Sequence, residues 1–210
     1  MSKLLYVQAS PTPSRSFSIA VAQAFLKAYR AKNPGDEVRV VDLFNTDLPA
    51  FDGFTLQAKY AILHGKPHTA QEKAAWQAVE SVVADFKSAD KFLFAVPMWN
   101  FGLPYKLKHY LDVIIQPGYT FSYSPAEGFK GLVTGKPVAV VYARGGAYAP
   151  GTVAEAMDMQ KKYLELLLGF MGFKDIRNIV VEPTLMGGPE TAAAKRAEAV
   201  ALAEKIAKEF

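Results

Sequence analysis

Apolar and polar positions along the chain alternate between two periods. Five short segments rich in Val, Ile, Leu, Phe and Tyr read as strands: Lys3–Ala9, Glu37–Asp42, Lys91–Val96, Pro137–Ala143 and Ile176–Val181. Between them the spacing changes to that of a helix. Ser16–Ala31 carries apolar residues at Ile19, Ala20, Phe25, Leu26 and Tyr29 and stops at Asn33-Pro34-Gly35. Thr69–Lys87 opens with a Thr three residues before Glu72, the spacing of a capping box. Leu103–Ile115 predicts a shorter helix. Thr152–Gly169 predicts a fourth, with Val153, Ala156, Met157, Leu164, Leu167 and Leu168 on one face, and a last helix runs from Glu190 to the carboxyl end. Strands alternating with helices form a parallel sheet covered on both faces, with right-handed crossovers. The pattern therefore predicts a doubly wound five-stranded α/β fold, as one domain over residues 1–210.

Two stretches break the alternation and read as insertions, the kind of segment that carries substrate or partner contacts. Residues 45–68 contain Pro49, Gly53, Gly65 and Pro67, with a short helix expected near Leu56–Leu63. In residues 117–135, Tyr119-Thr-Phe-Ser-Tyr123 alternates like a strand, and Gly128 and Gly131 signal turns.

Composition narrows the function classes. Half of the 210 residues are apolar, enough for a substantial core, yet the longest apolar run, Phe92–Trp99, is far below the roughly 18 residues of a membrane span. The expectation is a cytoplasmic protein that does not enter a membrane. With no cysteine, thiol redox chemistry and thiolate metal sites are excluded, so any redox chemistry must sit on a bound cofactor. The net charge of +4 is spread among interleaved acids and bases, which gives no nucleic-acid signature. His109 lies among lysines on a helix and His64 and His68 lie in an irregular insertion, so no metal site is predicted.

In the strand order 2-1-3-4-5 of a flavodoxin-like sheet, the first, third and fourth strands are neighbours, and ligands bind beyond their carboxyl ends. The three loops leaving those strands have unusual composition here. Ser10-Pro-Thr-Pro-Ser-Arg-Ser-Phe-Ser18 brings hydroxyls and free N–H groups to a helix amino terminus, a phosphate site formed by Ser10, Ser16, Phe17 and Ser18, with Arg15 nearby. A serine cap with a proline-rich turn would look similar. Pro97-Met-Trp-Asn-Phe-Gly-Leu-Pro104 places planar aromatic surface beside an amide, which suits a flat heterocycle, although Trp99 and Phe101 could equally close the core. Ala143-Arg-Gly-Gly-Ala-Tyr148 has paired glycines that let backbone N–H groups approach a ligand, as would a plain turn.

With these loops in view, the chain resembles the FMN-dependent NADH-azoreductases, also described as FMN-dependent NADH:quinone oxidoreductases. The resemblance rests on Ser10-Pro with Ser16 and Ser18, on Pro97-Met-Trp-Asn-Phe-Gly-Leu-Pro104 with Leu107-Lys108 and Asp112, on Gly118-Tyr-Thr-Phe-Ser-Tyr123 and on Arg144-Gly-Gly146. It implies that Ser10 and Ser16–Ser18 hold the FMN phosphate, that Pro97, Met98, Trp99, Asn100 and Phe101 hold the isoalloxazine ring, and that Ala143, Arg144, Gly145 and Gly146 line its pyrimidine edge. The chain departs from the family pattern at Ala143, where Ser is frequent, and at Thr12-Pro13, where a basic residue and Gly are common. The resemblance further implies a homodimer with insertion aromatics over the substrate, for which Phe121 and Tyr123 are the candidates. NADH or NADPH would reduce the flavin at N5, and an azo compound or quinone would then take the same place, which is ping-pong kinetics. Solvent supplies the protons in this reading, and no side chain is assigned as catalytic. A one-electron carrier of flavodoxin type would share the fold, but such carriers are usually strongly acidic. A Rossmann dehydrogenase would need Gly-x-Gly-x-x-Gly, which the chain lacks.

Overall fold

The computed structural model describes residues 1–210. Seven strands form: β1 (Lys3–Gln8), β2 (Glu37–Asp42), β3 (Lys91–Pro97), β4 (Phe121–Ser124), β5 (Gly128–Gly131), β6 (Val138–Ala143) and β7 (Ile176–Val181). The helices are α1 (Phe17–Lys32), α2 (Gly53–Leu63), α3 (Ala70–Ser88), α4 (Tyr105–Ile114), α5 (Lys161–Met171) and α6 (Gly188–Lys208). Five strands make one parallel sheet in the order β2-β1-β3-β6-β7, and β4 and β5 pair antiparallel as a separate hairpin. Counted in chain order the sheet thus reads 2-1-3-6-7 rather than 2-1-3-4-5, because the hairpin intervenes. The fold is flavodoxin-like α/β. No helix is long and apolar enough to cross a membrane.

The strands read as unbroken apolar runs because both faces of the sheet are covered. Leu4, Tyr6, Leu93, Ala95, Ala139 and Val141 point to α1 and α6, while Leu5, Val7, Phe92, Phe94, Val138 and Val140 point to α3, α4 and α5. A fully buried Phe or Leu in such a layer contributes roughly 1.5–3 kcal/mol. The Thr69 capping box of α3 forms as its spacing predicts: Thr69 Oγ1 accepts from the Glu72 N–H at 3.1 Å and Glu72 accepts from the Thr69 N–H at 2.7 Å. The short helix of the first insertion is α2, opened by Asp52 as its N-cap.

One predicted helix is different. Thr152–Gly169 splits into a 3-10 turn at Val153–Met157, a kink at Asp158–Gln160, and α5. The apolar face expected in its first half is not buried: Val153 is 94% exposed. Polar side chains in the kink are recruited inward instead, as described below. The hairpin docks on the far end of α5, where Gly131 meets Gly172 so closely that a Cβ on Gly131 would lie 2.4 Å from Gly172 Cα. Gly172 ends α5 at φ 111°, a left-handed conformation that glycine adopts without strain.

Candidate functional site

Sheet order decides which loops meet. β1, β3 and β6 are neighbours, so the segments leaving their carboxyl ends converge at one edge. Main-chain hydrogen bonds join them. The Ala9 N–H donates to the Ala95 carbonyl at 3.0 Å, the Met98 N–H to the Ala143 carbonyl at 2.8 Å, and the Arg144 N–H to the Val181 carbonyl at 3.0 Å.

After β1, a 3-10 turn at Pro13–Arg15 delivers Ser16 as the N-cap of α1. Ser16 Oγ accepts from the Ile19 N–H at 3.3 Å and lies 3.1 Å from Ser18 Oγ. Ser10, Ser16 and Ser18 are buried, and the N–H groups of Phe17 and Ser18 have no acceptor within the chain. Hydroxyls, free amide hydrogens and the positive end of a 16-residue helix therefore share one spot. That donor set fits a phosphate dianion. Arg15, with no carboxylate partner, lines a small cavity beside this turn together with Arg196 of α6, likewise unpaired. Arg196, which sequence reading missed, brings charge near a loop that has Thr12-Pro13 where a basic residue is common.

After β3 the chain makes a tight turn. Trp99 and Gly102 exchange two main-chain hydrogen bonds, at 3.1 and 2.9 Å, around Asn100 at φ 47° and Phe101 at φ 66°. Two consecutive positive φ angles are what a type I′ turn needs, and a bulky residue there is strained by about 1–3 kcal/mol. The strain has a result: Trp99 and Phe101 do not close the core but remain 37% and 48% exposed, with Asn100 between them. Phe44 and Tyr105 flank Trp99 with ring centroids 5.8 and 6.4 Å away, and Tyr148 meets Phe101 edge-on at 6.4 Å. This aromatic border suits a flat ring.

After β6, the amides of Gly145 and Gly146 have no acceptor within the chain, and both residues lack the Cβ that would crowd the turn: at Gly145 it would lie 2.9 Å from Leu185 Cδ1. Arg144 behaves differently from its neighbours. Its N–H is engaged by Val181, and its side chain, 2% exposed, turns inward. Nη2 lies 2.9 Å from Asp158, Nη1 3.1 Å from Glu182, and Nε donates to Gln160 Oε1 at 3.0 Å. Arg144 thus supports the loop from behind and offers none of these groups to a ligand. Asp158, Gln160 and Glu182 were not anticipated from sequence. The one available signal was a lone arginine directly after an apolar strand.

The structure brings together Ser10, Ser16, Phe17, Ser18, Pro97, Met98, Trp99, Asn100, Phe101, Ala143, Gly145 and Gly146. It does not bring Phe121 and Tyr123 to them. Those two sit on the hairpin with Phe129 and Phe170, at centroid distances of 4.6–6.2 Å, by the end of α5 that precedes β7, across the sheet from the converging loops. A cavity of about 690 Å³ lies between α1 and the amino-terminal half of α6, walled by Phe17, Leu185, Ala193 and Val200.

Two core phenols stay protonated near neutrality. The hydroxyls of Tyr6 and Tyr142 are buried without a partner, and burial pushes both well above the ordinary tyrosine value. The ring Nε2 of His109 lies 2.9 Å from the Pro49 carbonyl, a contact that ties α4 to the first insertion. No group of three or more His, Asp or Glu side chains converges to hold a metal ion.

Comparison with known proteins places the fold in a family. The model of a family described as flavodoxin-like fold matches residues 2–206. An FMN-dependent NADH:quinone oxidoreductase of Nitratidesulfovibrio vulgaris is 58% identical over 210 residues, covering 100% of both chains. A crystal structure of an azoreductase from Bacillus anthracis superposes with a TM-score of 0.92 at 31% identity over 100% of each chain. An FMN-dependent NADH-azoreductase from the same species, solved in complex with FMN, superposes at 0.88 with 27% identity over 99% of this chain and 100% of that one. With identity sustained from end to end, the chain belongs to the flavodoxin-like family that includes the FMN-dependent NADH:quinone oxidoreductases.

Proposed function

We propose that this protein binds FMN and transfers two electrons at a time from NADH or NADPH to quinones, azo compounds or both, by a ping-pong mechanism in which donor and acceptor use the same place in turn. One observation carries the reading: unpaired N–H groups with buried hydroxyls at a helix amino terminus, a strained aromatic turn and two free glycine amides leave the carboxyl ends of three neighbouring strands. Bound FMN supplies the redox chemistry, and the side chains supply orientation and electrostatics.

In this reading Ser10, Ser16 and Ser18, with the amides of Phe17 and Ser18, hold the phosphate. Pro97–Phe101 support the ring, and Trp99 and Phe101 shield it from water. The amides of Gly145 and Gly146 face the pyrimidine edge, where they stabilise negative charge; Ala143 contributes backbone only. No side chain acts as an obligatory acid, and protons come from solvent. A homodimer explains the remote hairpin: Phe121 and Tyr123, together with Phe129, cover the substrate of the partner subunit. Dependence on a pyridine-nucleotide donor supports a cytoplasmic location.

The test is a spectrum. The purified protein with one equivalent of FMN is reduced by NADH, or separately NADPH, without oxygen, and a quinone or azo dye is then added. Bleaching by the donor and recovery with either acceptor supports the reading and ranks the substrates. Absence of a bound-flavin spectrum refutes it. Stable one-electron accumulation would favour the carrier instead.

A further inference from the structure

The kink at Asp158–Gln160 connects the two loops assigned above to the flavin ring. The Met159 N–H donates to the Phe101 carbonyl at 3.0 Å, and Gln160 Nε2 donates to the Val96 carbonyl at 3.0 Å, so the kink holds the β3 turn. From the other side, Gln160 Oε1 accepts from Arg144 Nε and Asp158 meets Arg144 Nη2, so the same kink also holds the β6 turn. Glu182 completes the enclosure: it takes Arg144 Nη1 and also accepts from the Tyr148 N–H at 3.1 Å, at the far end of the glycine turn. Gln160 is fully buried, and the Asp158 and Glu182 side chains are 6% and 17% exposed.

Buried charge without a structural use is costly. Here two carboxylates face one guanidinium, which leaves one acidic group in excess beside the turn that Arg144 opens and Tyr148 closes. We propose that Asp158, Gln160 and Glu182 are positioning residues of the flavin site, which lock Arg144 beneath the glycine turn and, through that excess charge, hold the flavin's reduction potential down. This rests on the FMN reading above. Uptake of two electrons and one proton leaves one additional negative charge on the isoalloxazine ring, and in a low-dielectric surrounding a nearby anion opposes it. The glycine amides attract that same charge. The cluster therefore offsets their pull, and the bound flavin becomes a stronger reductant toward the acceptor than the amides alone would make it.

Glu182→Gln and Asp158→Asn keep side-chain volume and remove one negative charge each. Thr184→Val removes the hydroxyl that donates to the Arg144 carbonyl at 2.9 Å and leaves the charge unchanged. Wild type and the three variants are stripped of FMN, titrated with FMN in oxidised and dithionite-reduced form, and measured for midpoint potential, with thermal midpoints recorded alongside. The expected result is that each charge variant favours reduced over oxidised FMN about tenfold more than wild type does, a rise of about 30 mV for a two-electron couple. Thr184→Val is expected to weaken both forms alike at unchanged potential. Potentials in both charge variants that stay at or fall below the wild-type value overturn the proposal, as does failure of both to fold, since the cluster would then serve stability alone. If wild type itself binds no FMN, the functional reading fails first.

Discussion

The converging loops and the β4–β5 hairpin are both aromatic and both partly exposed, yet only the loops combine aromatic surface with unpaired polar donors. At the loops, Trp99 and Phe101 stand beside unpaired N–H groups, buried hydroxyls and a helix amino terminus. At the hairpin, Tyr123 and Phe129, 62% and 65% exposed, pack on Phe121 and Phe170 with no comparable set of polar donors. Aromatic surface alone is a cover; aromatic surface beside organised donors is a binding site.

The largest effect is expected in the phosphate cradle. Ser16→Asp retains a good N-cap, so α1 survives, but its carboxylate competes with the phosphate for the same donors. Loss of two charge-assisted hydrogen bonds, about 3 kcal/mol together, corresponds to FMN affinity weaker by on the order of a hundredfold. Fluorescence titration measures it, and unchanged affinity would place the phosphate elsewhere.

A smaller effect separates the hairpin from the loops. Tyr123→Ser should leave FMN affinity within about twofold while lowering kcat/KM for a quinone about tenfold, near 1.4 kcal/mol. Steady-state kinetics and sedimentation of the same variant check this, and a parallel loss of FMN binding would collapse the distinction between the two regions.

Strain in the β3 turn predicts an effect of opposite sign. Phe101→Gly relieves a positive φ and should stabilise the flavin-free protein by about 1 kcal/mol, roughly 2–4 °C in thermal midpoint, while weakening flavin binding. A fall in the midpoint would mean that Phe101 packing outweighs its backbone strain.

The smallest effect calibrates the edge remote from the site. Asp36 is held below its ordinary value of 3.8 mainly by the Ser2 N–H and then by the Tyr29 hydroxyl. Its contribution to stability is therefore present above that ordinary value and lost as pH falls through the lowered one. Asp36→Asn should unfold at slightly lower urea than wild type at neutral pH and at the same urea once Asp36 is protonated. FMN affinity should not move.

Much of the site was legible because its parts are local. A serine before a helix and paired glycines after an apolar strand each announce their backbone geometry within a few residues, whereas the positive φ angles of Asn100 and Phe101 do not follow from an Asn-Phe pair. The Thr152–Gly169 prediction failed for the converse reason. Its helical periodicity competed with Arg144, which lies far enough away in sequence that no local pattern records the pull on Asp158 and Gln160. Phe121 and Tyr123 were recognisable as insertion aromatics, but their distance from the loops within one chain was not.

From the sequence alone came the five strands, the helices between them, and the loop residues proposed to hold a phosphate and a flat ring, since these follow from periodicity and short-range sterics. Tertiary structure alone decided that Arg144 faces a buried pair of carboxylates rather than a ligand, that Arg196 stands near the phosphate loop, and that the aromatic hairpin lies at the opposite edge. Those outcomes depend on which elements pack side by side, and desolvated charges and aromatic faces settle only after the sheet has brought distant segments within a few ångströms of one another.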